Sequence, residues 1–253
     1  MKKIIIIALA VLVAVSASAA RPRQYTDRSY SSPNGLSIPY KVLFPKDFDR
    51  SESYPLLLFL HGAGERGSDN QAQTVHGGRL LATDKQLRDV IVIVPQCPES
   101  DYWAPTENGD FKPENFPENA EMMPSLAAVK ELLEGYIATG LVKTDRIYCT
   151  GLSMGGMGTL DFALRFPDFF AAVQPVCGGV NIERCRQYKG RTAFRFFHGE
   201  DDPVVDCSCS LRADEALRQA GAESSVTTYP GVKHGSWYNA FEEEDFIGWL
   251  LKH

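Results

Sequence analysis

Ser153, within Gly151-Leu152-Ser153-Met154-Gly155, is the residue of this chain best placed to do chemistry. A serine hydroxyl is a weak nucleophile until it is held in the open beside a base. The segment follows the apolar run Arg146-Ile147-Tyr148-Cys149-Thr150 and leads into Gly156-Met157-Gly158-Thr159-Leu160, so it reads as strand, tight turn and helix. The flanking glycines tolerate strained backbone angles and let neighbouring elements approach closely. A helix starting at the serine also aims free N–H groups and a positive dipole end at charge developing nearby. A solvated serine in a glycine-rich turn is the plain alternative, and the strand-to-helix context argues against it.

Such a nucleophile needs a base, an acid to orient the base, and donors for an oxyanion. Among the five histidines, His61 and His76 precede the serine, His198 ends a strand ahead of any sensible acid, and His253 is the last residue. His234 is left, in the loop Gly231-Val232-Lys233-His234-Gly235-Ser236-Trp237. The acid is sought in His198-Gly199-Glu200-Asp201-Asp202-Pro203-Val204-Val205. Asp202 is chosen because a proline fixes the chain after it and two valines can anchor the turn; Asp201 is the close competitor and Asp206 a weaker one. The order Ser153, Asp202, His234 agrees with one of the known chain orders of this triad. Backbone N–H groups of Met154, in the serine turn, and of Ala63, in His61-Gly62-Ala63-Gly64, are the candidate oxyanion donors.

The elements that must hold these residues alternate between strand and helix, which predicts a largely parallel sheet covered on both faces. Strands are expected at Leu36 to Phe44 (an antiparallel edge), Leu56 to Leu60, Val90 to Val94, Arg146 to Thr150, Ala171 to Val176, Thr192 to Phe197 and Ser225 to Tyr229. Helices are expected at Pro124 to Ala138, Leu211 to Ala220 and Trp237 to Leu251. The proline-containing stretch Glu99 to Glu118 reads as an irregular insertion beyond a strand's carboxyl end, where ligand sites gather in open α/β sheets.

The 253 residues fit one large α/β domain or two small ones, nothing resembling a linker divides them, and 44% hydrophobic residues suffice for a sizeable core. A formal net charge of −6 with no basic run argues against a nucleic-acid partner. Residues 1–20 read as a signal peptide: Lys2 and Lys3, an apolar stretch from Ile4 to Val15, then Ala17-Ser18-Ala19-Ala20. The apolar stretch is short for a membrane span, so export to a secreted or periplasmic location is expected, with no lasting anchor. In an oxidising compartment one or two disulfides are expected among Cys177, Cys185, Cys207 and Cys209, with Cys149 a buried thiol and Cys97 unassigned. Cys207-Ser208-Cys209 lacks the spacing of a zinc site. The chemistry calls for no metal or organic cofactor.

Taken together, His61-Gly62-Ala63-Gly64-Glu65-Arg66-Gly67, Gly151-Leu152-Ser153-Met154-Gly155-Gly156, His198-Gly199-x-x-Asp202 and His234 resemble the α/β-hydrolase superfamily. Within it the chain is similar to secreted carboxylesterases of the polyhydroxybutyrate depolymerase, esterase D and feruloyl esterase group. The resemblance runs from about Leu36 to Leu251. It implies Ser153 as nucleophile, Asp202 as acid, His234 as base, and Ala63 and Met154 as oxyanion donors. By analogy the expected substrate is an ester, such as a feruloyl or acetyl ester of a plant polysaccharide. A peptidase with the same machinery and a non-catalytic carbohydrate-binding protein keeping the fold are the alternatives. Trp103 and Trp237 are the candidate substrate contacts, through stacking on a flat acyl or sugar face. Phe111 and Phe116 are expected to pack the insertion down, and Glu65 to pair with Arg66.

Overall fold

Leu56 to Leu60 is apolar at every position, as a strand must be when it lies mid-sheet and is covered twice. The computed structural model describes residues 22–106 and 111–253, so the expected leader over residues 1–20 lies outside the described residues. In chain order the elements are β1 (Thr26–Ser31), β2 (Ser37–Leu43), β3 (Tyr54–Leu60), α1 (Gly78–Thr83), β4 (Ile91–Pro95), α2 (Pro124–Ala138), β5 (Val142–Leu152), α3 (Met154–Arg165), β6 (Ala172–Val176), α4 (Ile182–Arg186), β7 (Ala193–Gly199), α5 (Ser208–Gln219), β8 (Ser224–Tyr229), α6 (Trp237–Glu242) and α7 (Phe246–Leu251). Among the described residues they build one sheet ordered β1-β2-β4-β3-β5-β6-β7-β8. From β4 to β8 all pairings are parallel, while β2 runs antiparallel to both of its neighbours.

Alternation along each strand sorts side chains into two cores. Leu56, Leu58, Leu60, Ile93, Cys149 and Phe196 pack under Leu126, Leu133, Leu160, Phe162 and Leu217, which come from α2, α3 and α5. Leu57, Phe59, Val92, Tyr148 and Phe197 pack on the other face against Leu81 of α1 and Phe246, Ile247 and Leu250 of α7. The chain leaves β3 toward β4 on one side and later returns to β5 on the other. The carboxyl ends of β3 and β5 therefore flank a crevice at the switch in direction. Their register, Leu60 opposite Gly151, sets the loop after β3 level with the serine turn.

Several sequence expectations change in detail. The strand from Leu36 is second from the edge, because β1, whose TDRSYS carries no apolar alternation and is mostly exposed, covers it. β5 begins at Val142 rather than Arg146, its exposed Lys143-Thr144-Asp145 extending past the cover of the core. The closing helix is two helices, broken at Glu243, where ψ is 126°.

The expected disulfides are absent among the described residues: all six cysteines are free, and five are buried. Cys185, Cys177 and Cys209 lie in three different apolar clusters, so their thiols do not meet. In the insertion, Phe111 and Phe116 stack at 6.4 Å and pack with Met157, Val205 and Cys209 as a small third core.

Candidate active site

The serine is one of three non-glycine residues with positive φ among the described residues. Ser153 has φ 54° and ψ −118°, a conformation of L-residues that persists only when its surroundings hold it. The Ser153 N–H donates to the Val176 carbonyl at 2.9 Å, and Met157 N–H returns to the Ser153 carbonyl at 3.0 Å. Of the two purposes expected of the flanking glycines, the structure uses close approach and not strained angles, since neither has a positive φ. A Cβ on Gly155 would lie 1.9 Å from the Leu60 carbonyl oxygen, and one on Gly151 would lie 2.5 Å from that of Gly155. The serine turn is pressed onto the end of β3, and only hydrogen fits between.

His234 reaches the serine from the loop after β8. That loop crosses the end of β7 closely enough that a Cβ on Gly199 would meet the Val232 and Lys233 carbonyls at 2.3 and 2.4 Å. Asp201 N–H ties down the Val232 carbonyl at 3.0 Å. His234 Nε2 then lies 2.9 Å from Ser153 Oγ, and Nδ1 lies 2.8 Å from Asp202 Oδ2. A carboxylate can only accept, so Nδ1 carries the proton and Ser153 O–H donates to Nε2. The three residues thus form one hydrogen-bonded relay. Of the competing acids, Asp201 is exposed, and Asp206 is engaged by the Ser208 N–H at 2.8 Å.

The Asp202 side chain is wholly buried. Burial by itself would raise its pKa, but donors from His198, His234 and the Val204 backbone outweigh that and hold it well below the usual carboxylate range. It therefore stays anionic, which suits a group that steadies an imidazolium.

Ala63 opens the 3-10 turn Ala63–Glu65, and Met154 opens α3. First-turn amides have no acceptor inside their own helix and are free to point at an oxyanion. The turn is set by His61, whose Nδ1 donates to the Gly62 carbonyl at 2.6 Å while Nε2 accepts from Cys97 N–H at 2.9 Å. In a trans peptide the C=O and the next N–H point opposite ways, so anchoring the Gly62 carbonyl aims the Ala63 N–H away from His61. Burial pushes the His61 pKa down to about 4, and the ring is neutral in ordinary conditions.

Trp103 requires a correction. It is fully buried, its Nε1–H donates to the His61 carbonyl at 3.2 Å, and its ring packs edge-on against His61 at 5.3 Å. It braces the loop from behind and touches no open surface, because the insertion folds it inward over Gly158. Arg66 does not pair with Glu65: its guanidinium donates to the Ala63, Glu99 and Asp101 carbonyls. Trp237 is half-buried, with its ring edge-on to His234 at 5.5 Å.

Two neighbours went unrecognised in the sequence. His76 packs against Trp237 at 5.2 Å, with Glu65 Oε1 3.7 Å from its Nε2. Cys177, at φ 40°, presents a thiol that lies with the ligand atoms of Asp202 and His234 in a group no more than 4.8 Å across. Its position directly after the strand beside β5 was the available signal. A metal there would have to displace the His234–Asp202 proton and ionise a thiol that burial pushes up to about 12, so the cluster suits proton relay better than metal binding.

Residues 48–248 match the model of a family described as phospholipase/carboxylesterase. A probable carboxylesterase of Oryza sativa subsp. japonica is 22% identical over 196 residues, covering 72% of this chain and 81% of that protein. An uncharacterized secreted protein of Arthroderma benhamiae is 25% identical over 79% of this chain, which spans only 23% of its length. The crystal structure of a thermostable esterase superposes with a TM-score of 0.80 at 34% identity, covering 90% of this chain and 62% of that one. Among the described residues no helix is long and apolar enough to cross a membrane. An eight-stranded, mostly parallel sheet with a serine at its strand-to-helix turn, and a family match across most of its length, make this chain a hydrolase of the α/β-hydrolase fold that belongs to the phospholipase/carboxylesterase family.

Proposed function

We propose that the protein is a serine carboxylesterase working through an acyl-enzyme. The supporting observation is the relay Ser153–His234–Asp202, with contacts of 2.9 and 2.8 Å. Ser153 Oγ attacks the ester carbonyl while His234 Nε2 takes its proton. The Ala63 and Met154 N–H groups hold the resulting oxyanion, and Asp202 steadies the imidazolium. His234 then protonates the departing alcohol, and water repeats the sequence on the acyl-serine.

The substrate class we propose is a feruloyl or acetyl ester of a plant polysaccharide, met after export of the chain. Support comes from the aromatic surface beside the base, where Trp237, His76 and the exposed Tyr238 offer faces to a flat acyl group or sugar ring. The experiment is chromophore release from acetyl, butyryl and feruloyl esters and from a peptide anilide, by wild type and Ser153→Ala. Ester turnover that falls about 10⁴- to 10⁶-fold on substitution supports the proposal. Turnover of the anilide alone would make the protein a peptidase. Sugar binding with no turnover by either form would make it a non-catalytic binding protein.

A further inference from the structure

His198 is a fully buried histidine that the proposed reaction does not use. It is the penultimate residue of β7 and points into the acid loop. Its Nε2 lies 3.0 Å from the Val205 carbonyl oxygen and 3.3 Å from Asp202 Oδ2. Its Nδ1 lies 2.7 Å from Ser210 Oγ in the first turn of α5. These partners settle the tautomer. Carbonyl and carboxylate oxygens only accept, so Nε2 carries the proton and shares it between them, and Ser210 O–H donates to Nδ1.

The consequence appears when the acceptor sites of Asp202 are counted. Oδ1 takes the Val204 and Val205 N–H groups at 2.8 and 3.0 Å. Oδ2 takes His234 at 2.8 Å and His198 at 3.3 Å. A carboxylate has about four lone-pair positions, and here all are used with the side chain shut off from solvent. The two backbone donors fix one oxygen to the loop, but rotation about that oxygen could still carry Oδ2 off the plane of the base. The His198 N–H, from the rigid end of a sheet strand, opposes that rotation.

We propose that His198 is a positioning residue: its Nε2–H holds the Asp202 carboxylate in the orientation that meets His234. Ser210 completes the device by fixing the tautomer. Other titratable groups around the Asp202 carboxylate are His234 from the loop after β8, Cys177 just after β6, Cys207 just before α5, and Asp206, whose carboxylate is held by the Ser208 N–H and O–H. None of these supplies the second donor to Oδ2. This inference rests on the esterase reading, since it assigns a role within that relay.

The experiment compares wild type, His198→Leu, His198→Gln and Ser210→Ala, with Ser153→Ala as the reference for the reading itself. Rates are normalised to sites titrated by the acyl burst, and the low-field imidazole N–H proton between His234 and Asp202 is followed by NMR. For His198→Leu the expected result is kcat lower by about tenfold to 100-fold, the size of one charge-assisted hydrogen bond, with KM essentially unchanged and the low-field resonance moved or lost. His198→Gln, whose amide nitrogen reaches the place of Nε2, restores most of the rate. A wild-type kcat per titrated site and an unmoved resonance in His198→Leu, with only the melting temperature lowered, would overturn the proposal. If His198→Leu does not fold, Ser210→Ala decides. A several-fold loss of kcat with a moved resonance supports the proposal, and wild-type values overturn it. Should Ser153→Ala retain full activity, the esterase reading fails first and separately.

Discussion

His61 shows how one side chain serves geometry and stability together. Its neutral ring anchors the Gly62 carbonyl and is in turn held by Cys97 and faced by Trp103. Burial lowers its folded-state pKa from 6.5 to about 4, so between those values the unfolded chain binds the extra proton and the folded chain does not. Stability from this residue is therefore complete above about pH 6.5 and is lost as pH falls through about 4, by on the order of 3 kcal/mol. Chemical denaturation from pH 7 to pH 4 checks this. His61→Asn, with no ring to titrate, is expected to show a flatter dependence across that window. An equally steep loss in the variant would place the acid sensitivity elsewhere.

At the scale of elements, the active groups come from strand ends and the turns after them, and glycines set how closely those turns approach. Gly199 is the informative case. It has ordinary backbone angles, yet a Cβ there would run into the Val232 and Lys233 carbonyls, which belong to the loop carrying His234. Gly199→Ala is expected to displace that loop by a fraction of an ångström to about 1 Å. A misplacement of that size costs roughly 100-fold in rate when it separates base from nucleophile. The prediction is a fall in kcat much larger than any change in melting temperature, read by parallel kinetics and calorimetry. Equal kcat with a lowered melting temperature would mean that the contact is structural only.

At the scale of the whole molecule, no covalent cross-link joins the described residues. Cys97, Cys149 and Cys185 lie in one core cluster, Cys177 and Cys209 in two others and Cys207 in none, and burial pushes Cys97, Cys149, Cys177 and Cys185 up to about 12. The two cores of the sheet and the small core under the insertion supply the cohesion instead. A thiol reagent is expected to modify the half-buried Cys207 at most in the native protein, and six cysteines after denaturation without reductant. A titre of four or two would reveal bridges and contradict the arrangement described above. The insertion also joins distant parts of the chain: Phe111 pairs with Val205 in a short bridge, and its carbonyl accepts from Asp206 N–H. It thereby buttresses the loop that carries Asp202.

The alternation of apolar runs determined the parallel sheet, and residue types around three strand ends determined which serine, carboxylate and imidazole meet. Both are local signals, since strand burial and turn chemistry are written in neighbouring residues. The edge strand Thr26–Ser31 was illegible because a solvated edge needs no apolar face, and the break at Glu243 because it reflects where two short helices can each reach the core. Tertiary structure alone decided that Trp103 is a brace rather than a substrate contact, that Cys177 lies beside the relay, and that His198 meets Asp202. Each of those facts depends on which surfaces fold over which. Burial at such positions is a property of the packed neighbours, and no spacing along the chain encodes it.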